Sequence, residues 1–119
     1  MANKLKIFRG DTKKFKAVLK VKDQNTGLYQ VYAIPTGATI AVNLPGESGS
    51  SVVITTAAGE VTIIDQANGV ISCVVSKVKT PLLKLGDNQA LDAIITELSG
   101  DVTTAEKLKV VLVVDRQNP

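Results

Sequence analysis

The sequence predicts an all-β domain, and three observations support this. Segments of strand length, rich in β-branched residues, recur along the chain, and turn formers separate them at roughly the 8–12-residue spacing typical of sandwiches and barrels. Several segments alternate apolar and polar residues, as a strand with one buried face does. A chain of 119 residues has the length of one ordinary domain. We therefore expect a single domain over residues 1–119, built as a β-sandwich or barrel.

The first predicted strand, 14–22, is the most regular of the set. Its apolar residues share one face, and its lysines share the other. The two faces are Phe15, Ala17, Leu19 and Val21 on one side and Lys14, Lys16, Lys20 and Lys22 on the other. Turn formers fill 23–27 and a β-favouring segment follows at 28–33, so a hairpin or a short connection is expected there.

Further strands are predicted between residues 38 and 76. They cover 38–44, 52–56, 60–64 and 70–76. The intervening segment 45–50 contains two glycines and a proline, which is typical of an exposed loop. Asn68 and Gly69 form a hairpin signal before the last of these strands, because both residues tolerate a positive φ.

The segment 83–101 admits two interpretations. Four apolar residues recur at near-helical spacing, with Asp87 and Gly100 placed as the caps of a helix. They are Leu91, Ile94, Ile95 and Leu98. As a strand, the odd-numbered residues from 91 to 95 would share one face, while the other would mix apolar and polar residues, so the alternation is poor. The local sequence does not decide between the two.

The last part of the chain is mixed in the same way. Residues 104–108 could begin a helix, whereas 109–114 is almost entirely β-branched and predicts a buried strand. The fold class of residues 83–114 is therefore left open by local patterns.

Composition excludes several kinds of chemistry. The chain has one cysteine and no histidine, which excludes an internal disulfide, a cysteine-based zinc site and a Ser-His-Asp triad. Cys73 lies among apolar residues and is expected to be a buried structural thiol. We expect no catalytic residue, no cofactor and no metal ion. The apolar runs are too short for a membrane span, and no signal peptide follows Met1, so synthesis in the cytoplasm without secretion is expected.

Positive charge is concentrated at the start of the chain. Residues 1–22 hold eight of the fourteen Lys and Arg residues and one of the eleven acidic residues. A basic strand of this kind could contact nucleic acid or an acidic protein surface, or its lysines could simply keep an edge strand solvated. The near absence of aromatic residues that could stack on bases argues against nucleic acid.

Short turn signatures lie in five segments, which are spread over nearly the whole chain. They lie in the segments GDTKKFKAVLKV (10–21), IPTGATIAVNLPG (34–46), ANGVISCVVSK (67–77), TPLLKLGDNQALDAIIT (80–96) and KVVLVVDR (109–116). Together they resemble the N-terminal domain of phage baseplate upper proteins and related small phage or prophage virion proteins. The resemblance implies an immunoglobulin-like antiparallel β-sandwich of about seven to nine strands with little or no helix. It also implies that 87–98 is a strand and pairs with 102–114 as an antiparallel hairpin.

The same resemblance implies a function. We expect a non-enzymatic structural protein of a phage or prophage particle, in the baseplate or tail or on the head, located in the virion after synthesis in the host cytoplasm. Its partners would be other virion proteins, as a homo-oligomer or in a larger assembly. The aromatic candidates are either contact anchors or part of the core. The candidate interaction surface is Phe8, Tyr29, Tyr32, Lys13, Lys14 and Lys16.

Three other function classes are alternatives to this expectation. A carbohydrate- or host-receptor-binding module is the main alternative, although the chain has no Trp, two Phe and two Tyr as sugar platforms. A nucleic-acid binder would use the lysines between residues 4 and 22. An enzyme would need a carboxylate pair among the acids of 87–101, but in a strand Asp92 and Glu97 face opposite sides.

Overall fold

A computed structural model shows an all-β chain and describes residues 5–23, 25–105 and 110–114. The described strands are β1 (Leu5–Phe8), β2 (Lys13–Val18), β3 (Lys20–Lys22), β4 (Tyr29–Val31), β5 (Thr39–Pro45), β6 (Ser51–Thr55), β7 (Val61–Asp65), β8 (Val70–Val75), β9 (Gly86–Ala90), β10 (Asp92–Thr96), β11 (Val102–Ala105) and β12 (Val110–Val114). Two single turns of 3₁₀ helix, Glu47–Gly49 and Thr80–Leu82, are the helical elements of these ranges. The predicted class, all-β with little or no helix, is confirmed.

The described strands outnumber the seven to nine predicted, for a physical reason. Two predicted strands are divided at one fully buried residue, Leu19 or Leu91. Alternation of apolar and polar residues continues across Leu19. At both divisions the second half joins a different sheet. A third predicted strand is divided between β11 and β12, and the rest of the candidate helix at 104–108 lies outside the described residues after Ala105. The remaining addition is β1, which was not predicted.

Hydrogen bonding arranges the strands in separate sheets. Their orders are β1-β12-β9, β2-β8-β7, β3-β4 and β11-β10-β5-β6. The described pairs are antiparallel, apart from β1 and β12, which run parallel. The antiparallel prediction is thus wrong for this one pair. Its strands lie at opposite ends of the described chain, so no local turn signal could indicate the pairing.

Packing of sheet on sheet forms the core. The four-stranded sheet contacts both three-stranded sheets, since β5 lies against β7 and β9, and β6 lies against β8. Alternate residues of β5 and β8 point into the space between the sheets, as their alternating burial shows. The arrangement is sandwich-like. The more specific immunoglobulin-like topology stays a prediction.

The ambiguous segment 83–101 forms strands, so the helical interpretation is wrong. Antiparallel pairs join β10 to β11 and β9 to β12, which confirms the hairpin expected between 87–98 and 102–114. Leu91, Ala93 and Ile95 are fully buried on one face. Leu98, which completed the helical spacing, is 81% exposed. The core therefore contains three residues that lie two apart in sequence, as in a strand, and leaves Leu98 exposed to solvent.

Two of the turn signatures meet at one end of the molecule. The fully buried Thr80 hydroxyl accepts a hydrogen bond from the N–H of Gly10 at 2.9 Å and donates one to the carbonyl of Asp11 at 2.9 Å. Next to them, Arg9 forms an ion pair with Glu47. These contacts tie the turn before β2 to the loops on either side of the sheets, which fixes where β2 begins.

Candidate interaction surface

The lysine-rich segment 13–22 forms hydrogen bonds along one side. The N–H of Leu19 donates to the carbonyl of Gly69 at 2.8 Å, and the carbonyl of Leu19 accepts from the N–H of Tyr32 at 2.9 Å. Hydrogen-bonded pairs alternate along an antiparallel ladder. The odd-numbered residues therefore direct their N–H and C=O groups towards β8 and then β4. The even-numbered residues direct theirs away from the ladder.

Gly69 lies where the segment 13–22 changes its pairing partner from β8 to β4. Its φ is +66°, and a Cβ atom at this position would lie 2.5 Å from the carbonyl oxygen of Tyr32. A side chain is thus excluded by space as well as by backbone conformation. The close approach of Gly69, Leu19 and Tyr32 keeps β2 and β3 in line although they belong to different sheets.

We call the outward-facing residues of this segment the lysine edge. They are Lys14, Lys16, Val18, Lys20 and Lys22. Both β2 and β3 lie at the edges of their sheets, and the side chains of all these residues are exposed. The edge extends for roughly 26 Å at the rise of an extended strand. The four ammonium groups of the edge thus belong to residues whose backbone groups also point away from the sheet.

The lysines of this edge have no side-chain partner in the part of the chain that the structure describes. Their ammonium groups form neither an ion pair nor a hydrogen bond with another residue of the described ranges. By contrast, Arg9 pairs with Glu47, and Lys79 pairs with Glu60 at 2.7 Å. The positive potential of the edge is therefore available to a partner.

The predicted surface residues are distributed over several sheets. Lys14 and Lys16 belong to the lysine edge, while Lys13 is half-buried at the start of β2. Phe8 lies on β1, 37% exposed, with the ammonium of Lys6 4.9 Å from its ring centre. The structure therefore joins two of the candidates. It adds Val18, Lys20 and Lys22 to them. The sequence placed the two lysines on the outward face, but none of the three was among the candidate surface residues.

The two tyrosines have different environments. Tyr29 on β4 is 44% exposed, whereas Tyr32 is half-buried and packs against the core. Tyr29 lines a groove of about 290 Å³ together with Val21, Lys22 and two residues of β11, Thr103 and Thr104. Of the two, Tyr29 is the one placed to contact a partner.

The segment 45–50, which the sequence predicts to be an exposed loop, borders two clefts. One, of about 660 Å³, lies between this loop and Lys84 and Leu85. The other, of about 370 Å³, lies between the loop and Pro81 and Leu82. Both clefts are next to the Arg9–Glu47 pair, so the loop is held by the same contacts that fix the start of β2.

The residues considered for chemistry are placed as follows. Cys73 is fully buried on β8, and burial raises the pKa of its thiol to about 12. Asp92 is exposed at the start of β10, while Glu97 follows the end of that strand on the opposite face. The side chain of Asp87 lies outside the described residues. The described ranges contain no cluster of three or more His, Cys, Asp or Glu that could hold a metal ion. They also contain no helix with the length and hydropathy of a membrane span.

Comparison with known proteins adds no family to these observations. No family model and no curated protein sequence matches the chain. A function is therefore argued from the lysine edge, the groove at Tyr29 and the resemblance of the turn signatures.

Proposed function

We propose that this protein is a non-enzymatic structural component of a phage or prophage particle and acts through contacts with other virion proteins. The observation that carries the contact role is the lysine edge, because an open edge strand offers main-chain hydrogen bonds to a second polypeptide. The resemblance of the turn signatures to those of phage virion proteins supports the assignment to a particle. The protein would lie in the baseplate, in the tail or on the head. Location in the virion is part of the same proposal.

Exposed apolar residues next to the lysine edge support a protein partner. The hairpin of β3 and β4 exposes Leu28 (67%) and Tyr29 as well as Val31. Large apolar and aromatic side chains of this kind supply most of the affinity at protein interfaces, whereas exposed charges mainly set specificity. The hairpin and the edge together offer both components.

The groove at Tyr29 favours one alternative, a carbohydrate- or host-receptor-binding module. An exposed aromatic face beside the two threonines and the lysine of that groove combines an apolar platform with hydrogen-bonding groups. In this hypothesis Tyr29→Ala abolishes binding on a glycan array, while Phe8→Ala, which changes an exposed aromatic residue elsewhere, leaves it unchanged.

Particle proteomics tests the main proposal. Mass spectrometry of density-purified particles, from cells in which the prophage or phage is multiplying, should find this chain at a constant ratio to the major structural proteins. Detection in the soluble lysate together with absence from every particle fraction contradicts the proposal.

A further inference from the structure

We propose that the lysine edge binds an extended acidic segment of another protein by adding it as a strand. This inference deepens the proposed function and rests on it for the partner being a protein. It names the chemistry and the register of that partner.

The backbone of the edge supplies the first argument. Between Lys14 and Lys22, every second residue directs an N–H and a C=O away from β8 and β4. These outward groups have no hydrogen-bond partner among the described residues. An added strand would satisfy them at the regular spacing of a ladder.

The side chains supply the second argument and the partner's pattern. The lysines occupy the first two and last two positions of the edge, and Val18 occupies the middle. Residues two apart on an added strand face the same side. The complementary segment therefore has acidic residues at alternate positions on both sides of one apolar residue, in the order acidic-x-acidic-x-apolar-x-acidic-x-acidic.

Two other occupants fit this edge less well. A second copy paired antiparallel about Val18 would place Lys16 opposite Lys20 and Lys14 opposite Lys22, and like charges directly opposite each other are destabilising. Nucleic acid would pair with the ammonium groups but would leave the outward N–H and C=O groups without a ladder. The described edge also carries no aromatic residue for base stacking.

The test uses labelled peptides of about nine residues with this pattern and fluorescence anisotropy with the full chain. A control peptide has the same composition with its acidic residues clustered at one end. We expect the patterned peptide to bind at least about tenfold more tightly than the control, and to lose affinity when alternate amides are N-methylated. Equal binding of all these peptides would overturn the proposal.

Val18→Pro tests the ladder from the protein's side. The N–H of Val18 points outward, so proline removes a donor that the β2–β8 ladder does not use. We expect at least about tenfold weaker peptide binding, with Val18→Thr, which keeps the N–H, as the matched control. Circular dichroism and thermal unfolding establish that both variants are folded. The N-methylated peptide gives the same information if the proline variant is not.

Charge reversal tests the lysines. Lys16→Glu and Lys20→Glu should each weaken binding of the patterned peptide, while Lys77→Glu, at an exposed turn position, should not. Binding of heparin or duplex DNA as tight as that of the patterned peptide at about 0.15 M salt would show a general polyanion site and overturn the proposal. A chain found in particles that binds no patterned peptide would remove this inference and leave the proposed function. Peptide binding by a chain that is absent from particles would contradict the proposed function and support strand addition at the lysine edge.

Discussion

Two sheet edges of this molecule, β6 and the lysine edge, differ in what covers their backbone. Hydrogen bonds at the two ends of β6 join Thr56 to Ile40 and Ser50 to Gly46. The even-numbered residues of β6 therefore bond to β5, and the backbone groups of Val53 and Thr55 point away from the sheet. A loop and a lysine cover both of these residues. The lysine edge has outward groups of the same kind. Among the described residues β11 lies near β3, but no loop or side chain forms a hydrogen bond with these groups.

The cover over β6 is made by one ion pair. A carboxylate oxygen of Glu60 accepts from the N–H of Thr55 at 3.2 Å, and the N–H of Glu60 donates to the carbonyl of Thr55 at 3.1 Å. Lys79 donates to the carbonyl of Val53 at 2.9 Å and to Glu60 at 2.7 Å. An open edge is therefore not a general property of this fold. In the lysine edge the lysines alternate and have no acidic partner among the described residues.

Removing the residue that joins the two halves of the lysine edge should have the largest effect. Leu19→Ala deletes a fully buried side chain and is expected to lower the free energy of unfolding by about 2–5 kcal/mol, because a cavity forms between β2 and β3. Chemical denaturation measures the change. Val18→Ala, next to it and 37% exposed, should cost less than about 1 kcal/mol. Equal costs at the two positions would contradict the assigned faces.

High pH should weaken the sheet under the lysine edge. Cys73 lies opposite Phe15 in the β2–β8 ladder, and burial raises the pKa of its thiol from 9.0 to about 12. The unfolded chain releases the thiol proton first, so stability is full below about pH 9 and falls by up to about 1.4 kcal/mol per pH unit between about 9 and 12. Denaturation of the wild type and of Cys73→Ala across this range measures the difference, which vanishes if the thiol titrates normally.

Opening the covered edge should cost less stability and change association. Glu60→Ala leaves the N–H of Thr55 and the ammonium of Lys79 without their carboxylate, which is expected to cost about 1–3 kcal/mol. It should also increase self-association, measured by analytical ultracentrifugation, because the outward N–H of Thr55 then lacks its carboxylate acceptor and can pair with another chain. Glu47→Ala, which removes an ion pair at a loop, is the matched control and should change stability by about 1 kcal/mol or less. A Glu60→Ala chain that associates no more than this control would contradict the assigned cover.

The smallest stability effect is expected on the lysine edge itself. Lys14→Thr combined with Lys16→Thr removes charges that have no partner among the described residues, so the free energy of unfolding should change by less than about 1 kcal/mol. Self-association should increase, since the like charges that oppose edge-to-edge pairing are reduced. Sedimentation velocity at low and high salt tests both statements. A loss of stability comparable to that of Glu60→Ala would contradict the open state of the edge.

Sequence patterns predicted most strands because burial on one face has a local signature. Alternation placed Phe15, Ala17 and Leu19 correctly in the core, and the Asn68-Gly69 signal correctly marked the turn between β7 and β8. The same patterns failed at β1 and left 83–101 undecided, where several apolar residues fit both a helix and a strand. Only the antiparallel partners β11 and β12 show which of those residues the core uses.

The candidate surface was predicted in part for the same reason. Lys14 and Lys16 were recognisable because the lysines alternate, whereas exposure of an isolated aromatic residue depends on distant packing. Tyr29 and Tyr32 are both β-favouring residues three apart, and nothing local distinguishes the exposed one from the half-buried one.

By itself, the sequence determined which side chains of segment 13–22 share a face, since side-chain direction in a strand follows from position alone. Whether the backbone edge of that strand is open was decided only by tertiary structure. Pairing with β8 and β4 uses the odd-numbered residues, and these partners lie far away in sequence or are reached across a turn. The outward groups of the lysine edge have no hydrogen-bond partner among the described residues, although β11 lies near β3. In β6, by contrast, Glu60 and Lys79 bond to the outward groups.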